Sequence, residues 1–204
     1  MHVAIDIDGT LSVPPAEFEF PTCEEWLKDH NFAITKRDYT KLKAIDAFGL
    51  QKAVYKKWFD YYFPINCKKV PVEPGAPEAV RIMKRRGYKV SIVTRRDKNY
   101  DGAYTGVVMA MDTEHWLLTN DIPYDAIHYG CSDKASVLRE IGADIMIEDE
   151  PMNLENMAKA KFPCIAIART YNEEFQDYSP LIVRKDGWPS IIDFLTKFEA
   201  MLSN

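Results

Sequence analysis

The stretch Asp6-Ile7-Asp8-Gly9-Thr10-Leu11 closes a short apolar run at 3–7. A fully buried parallel strand reads this way, continuous in aliphatic residues and then abruptly acidic at its end. Gly9 turns the chain there, so the carboxylates of Asp6 and Asp8 reach one pocket although side chains alternate along extended backbone. In an open α/β sheet that edge is where ligands bind. With each fixed residue arising at about 1 in 20 positions, four of them after an apolar strand are a rare accident.

Working outward, the apolar runs at 88–93, 126–129, 145–147 and 164–168 predict further strands. The segment between Pro77 and Gly87 has a helix start in its proline and a helix stop in Arg85, Arg86 and the glycine. Amphipathic stretches at 113–119, 132–141 and 154–161, and a last helix from Pro189-Ser190 to about Met201, fill the intervals. Strands alternating with helices predict an α/β fold, a parallel sheet flanked by helices.

Residues 12–71 break this rhythm. Thr22 with Glu25 three residues on resembles a capping box, and Val54, Tyr55, Trp58, Phe59 and Tyr62 recur at helical spacing. Twelve aromatic residues fall between Phe18 and Phe63. The expected organisation is an α/β core made of 1–11 and 72–204, with a small helical cap inserted after strand 1 at 12–71.

Composition narrows the partners. The 204 residues carry 26 Lys plus Arg against 31 Asp plus Glu, a net charge of −5 with no long basic tract. Such a chain has no electrostatic footprint for duplex nucleic acid or an anionic membrane surface. Asp6 arrives before any apolar signal core can form, and no stretch approaches the ~18 apolar residues that span a bilayer. The four cysteines stand far apart, without a Cys-x-x-Cys pair, and read as reduced structural thiols. A cytoplasmic location is expected.

Three further elements sit where a phosphoryl-transfer site needs them. Thr94 ends the second strand, where its hydroxyl can hold a phosphoryl oxygen. Lys134, in Ser132-Asp133-Lys134, stands at a predicted helix N-terminus, a place that already favours an anion. Glu148-Asp149 ends the fourth strand, and with Asp6 and Asp8 crowds four carboxylates together. Such repulsion calls for a hard divalent cation, and Mg²⁺ suits carboxylates, waters and a substrate phosphate. In such a site one carboxylate can attack phosphorus and form an acyl phosphate, while its neighbour shuttles the leaving group's proton.

The order of these pieces resembles the four motifs of the haloacid dehalogenase (HAD) superfamily of phosphotransferases, across the whole sheet domain, with the insert at 12–71 in the position of that superfamily's first cap type. The resemblance implies a Rossmann-like core and a Mg²⁺-dependent phosphatase. Asp6 would be the nucleophile, and Asp8 the general acid, then the base, and a metal ligand through its backbone carbonyl. Thr94 and Lys134 would hold the phosphoryl group. Asp149 would complete the metal site, with Glu148 as a further ligand or one step behind it.

Within the superfamily the chain resembles the 5′-nucleotidase group that includes the 5′(3′)-deoxyribonucleotidases and their bacterial relatives, and Ser132-Asp133-Lys134, Ile147-Glu148-Asp149 and Arg169-Thr170-Tyr171-Asn172 are similar to stretches of the bacterial nucleotidases. Thr10, Arg95-Arg96 and Glu148 depart from the deoxyribonucleotidase pattern, which usually has Val, small residues with Pro, and Asp at those places. The implied partner is a small phosphorylated metabolite, a nucleotide before a sugar phosphate, with a non-catalytic binding module as the remaining alternative. Phe18 and Phe20 are the expected base-facing aromatics, because they follow the catalytic strand closely. Tyr55 and Trp58 are expected to pack in the cap. Arg95 is expected to grip a phosphate oxygen, and Arg96 to lie on the surface.

Overall fold

The computed structural model describes residues 1–102, 104–173 and 179–202. The opening apolar run forms β1 (His2–Ile5), the centre of a six-stranded sheet. With β2 (Lys89–Val93), β3 (Ala126–His128), β4 (Ile145–Glu148), β5 (Cys164–Ile167) and β6 (Ile182–Lys185), it makes the order β3-β2-β1-β4-β5-β6, every pairing parallel. Parallel strands need long crossovers, which helices supply here on both faces.

Alternation along each strand sorts the core by size. Val3, Ile5, Ile92, Ile145, Ile147 and Ile165 point to one face, where α4 (Ala76–Arg85), α5 (Gly106–Thr119) and α8 (Trp188–Leu202) cover them. Ala4, Met146, Cys164 and Ala166 point to the other, against α6 (Lys134–Glu140) and α7 (Pro151–Ala160). Large aliphatics thus fill the first layer and smaller side chains let the second pair of helices sit close.

Between β1 and α4 the chain forms α1 (Glu19–Asp29), α2 (Ala44–Phe48) and α3 (Lys52–Lys69). These helices share their own apolar cluster, built on Phe20, Trp26, Leu27, Phe48 and Trp58. Trp58 stacks on Tyr62 with centroids 4.8 Å apart, and Phe20 meets Phe48 edge-on at 5.7 Å.

Several elements differ from the sequence expectation. The capping box at Thr22 is absent, because α1 starts at Glu19 and the Thr22 hydroxyl donates back to the Phe18 carbonyl inside the helix (2.8 Å). Helix α5 begins at Gly106 rather than 113, with Thr105 Oγ1 accepting from the Val108 amide. Strand β6 had no apolar run to announce it: Ile-Val-Arg-Lys is a half-exposed edge. Phe20 is 0% exposed inside the helical cluster, so the expectation that it faces substrate is corrected. No helix among the described residues is long and apolar enough to cross a membrane.

Phe20→Ala should lower unfolding free energy by about 3–5 kcal/mol, the usual cost of truncating a buried Phe. Denaturant unfolding measures it, and a loss well under 1 kcal/mol would contradict the packing described.

Candidate active site

The strand order fixes where a site can form. From β1 the sheet grows through β2 on one side and through β4 on the other, and the crevice at such a switch point opens at the strands' carboxyl ends. Asp6 leaves β1 with its amide donating to the Ile147 carbonyl of β4 (3.1 Å). Thr94 follows β2, and Glu148 and Asp149 end β4. Lys134 reaches in from the first residue of α6.

Lys134 Nζ donates to Asp6 Oδ1 (2.6 Å) and to Glu148 Oε2 (2.7 Å), with all three side chains nearly or fully buried. The two carboxylates raise the ammonium's proton affinity against the pull of burial. Burial, then the negative charges of Glu148, Asp149 and Asp8, push the Asp6 carboxyl well above the ordinary range, opposed by Lys134. Asp149 is pushed up to about 7 by burial and by Glu148, although Tyr171 Oη (2.6 Å) and Thr10 Oγ1 (2.9 Å) donate to it.

These carboxylates differ in what they still offer. A carboxylate accepts about four hydrogen bonds. Glu148 Oε1 takes the amides of Asp149 and Glu150 (both 3.0 Å), and Oε2 takes Lys134 and Asn153 Nδ2 (3.2 Å). Glu148 is therefore saturated, whereas each Asp149 oxygen accepts one bond and Asp6 has only Oδ1 engaged among the described residues. Asp6, Glu148 and Asp149 can each bring one oxygen within 4.8 Å of the others. Three carboxylates gathered this closely, two of them with acceptor capacity to spare, are an all-oxygen donor set that fits a hard divalent cation.

Gly9 makes this close approach possible. Its φ is +78°, and a Cβ there would lie 2.2 Å from Asp149 Oδ2. Arg169 holds the turn by donating from Nε and Nη2 to the Gly9 carbonyl (2.9 and 2.7 Å).

Asp8 is clamped. Arg96 donates from Nε to Oδ2 (3.0 Å) and from Nη2 to Oδ1 (2.6 Å), while Asn66 Nδ2 of α3 donates to Oδ1 (3.0 Å). Burial would raise the Asp8 carboxyl, but the guanidinium and the amide outweigh it and hold it below the ordinary range. The expectation of a surface Arg96 is thus corrected: its side chain is 2% exposed, with Nη1 on Thr113 Oγ1 of α5 (2.9 Å). Arg95 is the exposed member of the pair, 3.2 Å from Glu150.

A cavity of about 560 Å³, in the range of small-molecule sites, joins Asp6, Asp8, Thr94, Arg95, Lys134 and Asp149 to the inserted helices. Phe18 lines it as expected; Tyr55, expected in the packing, lines it too. Trp58 is buried in the helical cluster. Reading the sequence missed Asn66, Arg96, Tyr171, Asn153 and Glu19. Only Tyr171 had a signal, as part of a family-like stretch.

The same architecture occurs in solved structures. A haloacid dehalogenase-like family hydrolase from Streptococcus pneumoniae superposes with a TM-score of 0.65 at 15% identity, covering 95% of this chain and 97% of that one. The fold is that of the haloacid dehalogenase-like hydrolases. A D,D-heptose 1,7-bisphosphate phosphatase from B. bronchiseptica, solved with magnesium and phosphate, shares this haloacid dehalogenase-like fold at a TM-score of 0.54 and 12% identity, over 97% and 99% of the two chains. In sequence, the chain is 21% identical over 192 residues to a nucleotidase of Clostridium acetobutylicum, covering 94% and 91% of the two. It is 23% identical over 187 residues to a protein of Oceanobacillus iheyensis provisionally named a nucleotidase, covering 89% and 94%. No protein-family model matches the chain.

Two outcomes follow from the electrostatics. Lys134→Ala should cost about 3–5 kcal/mol in chemical denaturation, because it leaves buried carboxylates unpaired; a neutral effect would show that the lysine is not their counter-charge. Glu19, which lines the cavity, is pushed up by burial to about 7 from 4.5. A raised carboxyl favours folding below its unfolded value and loses that advantage as pH rises to the folded value. The melting temperature of Glu19→Gln minus that of the parent should therefore rise between pH 4.5 and 7 and level off above. A flat difference would contradict the burial.

Proposed function

We propose that this chain is a phosphomonoester hydrolase that works through an aspartyl-phosphate on Asp6 with a divalent cation, Mg²⁺, and that its substrates are nucleoside monophosphates. The observation that carries the chemistry is Lys134 bridging Asp6 and Glu148, beside Asp149 and Asp8, at the sheet's switch point. The nucleotidase names of the curated relatives and the phosphatases among the structural neighbours support the reaction class.

In the first half-reaction an Asp6 oxygen attacks phosphorus, the bond to the leaving oxygen breaks, and Asp8 delivers a proton to that oxygen. A phosphoryl dianion beside Asp8 raises its proton affinity, offsetting the Arg96 clamp. In the second, water attacks the phosphorus of the acyl phosphate and gives its proton to Asp8. The bond to Asp6 breaks, releasing inorganic phosphate and restoring both groups. The observed Asp8, a carboxylate held by Arg96 and Asn66, is poised for this base role. Thr94 and Lys134 hold phosphoryl oxygens, with Arg95 at the rim. Asp6, the Asp8 carbonyl and Asp149 would hold the cation, while saturated Glu148 anchors Lys134 and the loop after β4. When bound, the cation neutralises the carboxylates and a phosphoryl oxygen.

Residues 12–71 act as the cap in this reading. The nucleotide substrate is supported by the mixed character of the cavity, with phosphate-binding groups and the rings of Phe18, Tyr55, Phe59 and Phe63. Base–aromatic stacking is worth about 1–3 kcal/mol. A sugar phosphate offers hydroxyls and has little use for those rings.

Phosphate release across nucleoside monophosphates, sugar phosphates and an aryl phosphate tests this. Turnover should require Mg²⁺, prefer a nucleotide, and fall at least about 1,000-fold in Asp6→Asn, the scale of removing a nucleophile. Metal-independent turnover would overturn the mechanism, and a preference for sugar phosphates would overturn the substrate. Asp149→Ala should weaken Mg²⁺ binding by calorimetry about 10- to 100-fold or more, in keeping with the effect of perturbing a metal site. Unchanged affinity would remove Asp149 from the ligands.

A further inference from the structure

The cavity contains a carboxylate that hydrolysis does not use. Glu19 is the first residue of α1, and its Oε1 accepts the Ala44 amide at the start of α2 (3.1 Å). No ion pair to it forms among the described residues, although Lys43 lines the same cavity. Phe18, Tyr55, Phe59, Leu42 and Ile45 line the same cavity, so the acceptor shares it with rings and aliphatic groups. The titratable and charged groups that bear on it are Asp8 and Lys43, and it in turn acts on Cys23, Tyr55 and Tyr62. A carboxylate held among apolar groups with no cation on it costs stability, and such perturbed groups cluster at functional sites.

We propose that Glu19 is the specificity-determining residue for the base of a nucleoside monophosphate, selecting guanine by accepting its ring N–H and its amino N–H. This rests on the nucleotide reading above. Above about pH 7, where Glu19 is ionised, its carboxylate only accepts, and guanine alone among the common bases presents two adjacent donors on one edge. Adenine and cytosine offer an amino N–H beside a ring nitrogen whose lone pair the carboxylate repels. Uracil and thymine offer one ring N–H flanked by two carbonyl oxygens. The aromatic walls hold any base by its face, and Glu19 ranks them by their edge. A site built to bond specific N–H groups rejects a base lacking them, because the buried acceptor is then left unmatched.

The test is kcat/KM of the full chain with Mg²⁺ for GMP, AMP, CMP and UMP, in ribo and deoxy forms with dTMP, for the parent and for Glu19→Gln. The parent should prefer GMP over UMP at least tenfold, and Glu19→Gln should bring that ratio within about threefold, since an amide both donates and accepts. The ratio is internal to one preparation, so partial misfolding of the variant cancels. If nucleotides are hydrolysed but the parent prefers UMP or dTMP, or Glu19→Gln keeps the parental ratio, this assignment fails while the nucleotidase reading stands. If the aryl and sugar phosphates are hydrolysed and no nucleotide is, the nucleotidase reading fails and the base assignment falls with it.

Discussion

Lys134 Nζ between Asp6 and Glu148, at 2.6 and 2.7 Å, is the contact on which the rest of this structure depends. A parallel sheet that grows both ways from β1 brings the ends of β1 and β4 side by side, and each ends in acidic residues. Three buried carboxylates at that distance repel one another strongly in a medium poorer than water at screening charge. One ammonium, fixed at the start of α6, makes the arrangement tolerable without satisfying it. Burial first, and the neighbouring carboxylates after it, raise the proton affinities of Asp6 and Asp149. A buried acidic cluster of this kind could hold a metal ion.

A second charge pair works by the opposite balance. Arg96 is buried and gives Asp8 two hydrogen bonds, and Asn66 adds a third from the inserted helices. The Asp8 carboxyl is held below the ordinary range while burial pushes that of Asp6 above it, so two carboxylates two residues apart are shifted in opposite directions. Contrasting environments of this kind are how neighbouring acids acquire separate roles. The bond from Asn66 also ties α3, on the wall of the cavity, to the turn after β1.

The parts of the fold legible in the sequence are those whose environment is one-sided. Strands β1, β2, β4 and β5 are buried on both faces and read as plain aliphatic runs, while β6 is a half-exposed edge whose Arg184 and Lys185 hide it. Acidic residues at strand ends were legible because few local structures need them there. Arg96 was not, since its burial follows from Asp8, 88 positions away. Phe18 and Phe20 look alike in sequence, yet Phe18 is partly buried at the edge of the helical cluster and lines the cavity, while Phe20 is fully buried inside that cluster. Glu19 between them carries no motif at all; its place on the cavity wall follows from the start of α1 and from the Ala44 amide it accepts.

The central claim is that Asp6, and not its neighbour, forms the covalent bond to phosphorus. Quenching the enzyme during turnover, reducing with borohydride and sequencing the peptides by mass spectrometry tests this directly, because an aspartyl-phosphate is reduced to homoserine. The account predicts homoserine at position 6, dependent on substrate and Mg²⁺. Turnover with position 6 unmodified, or homoserine at position 8, would contradict it.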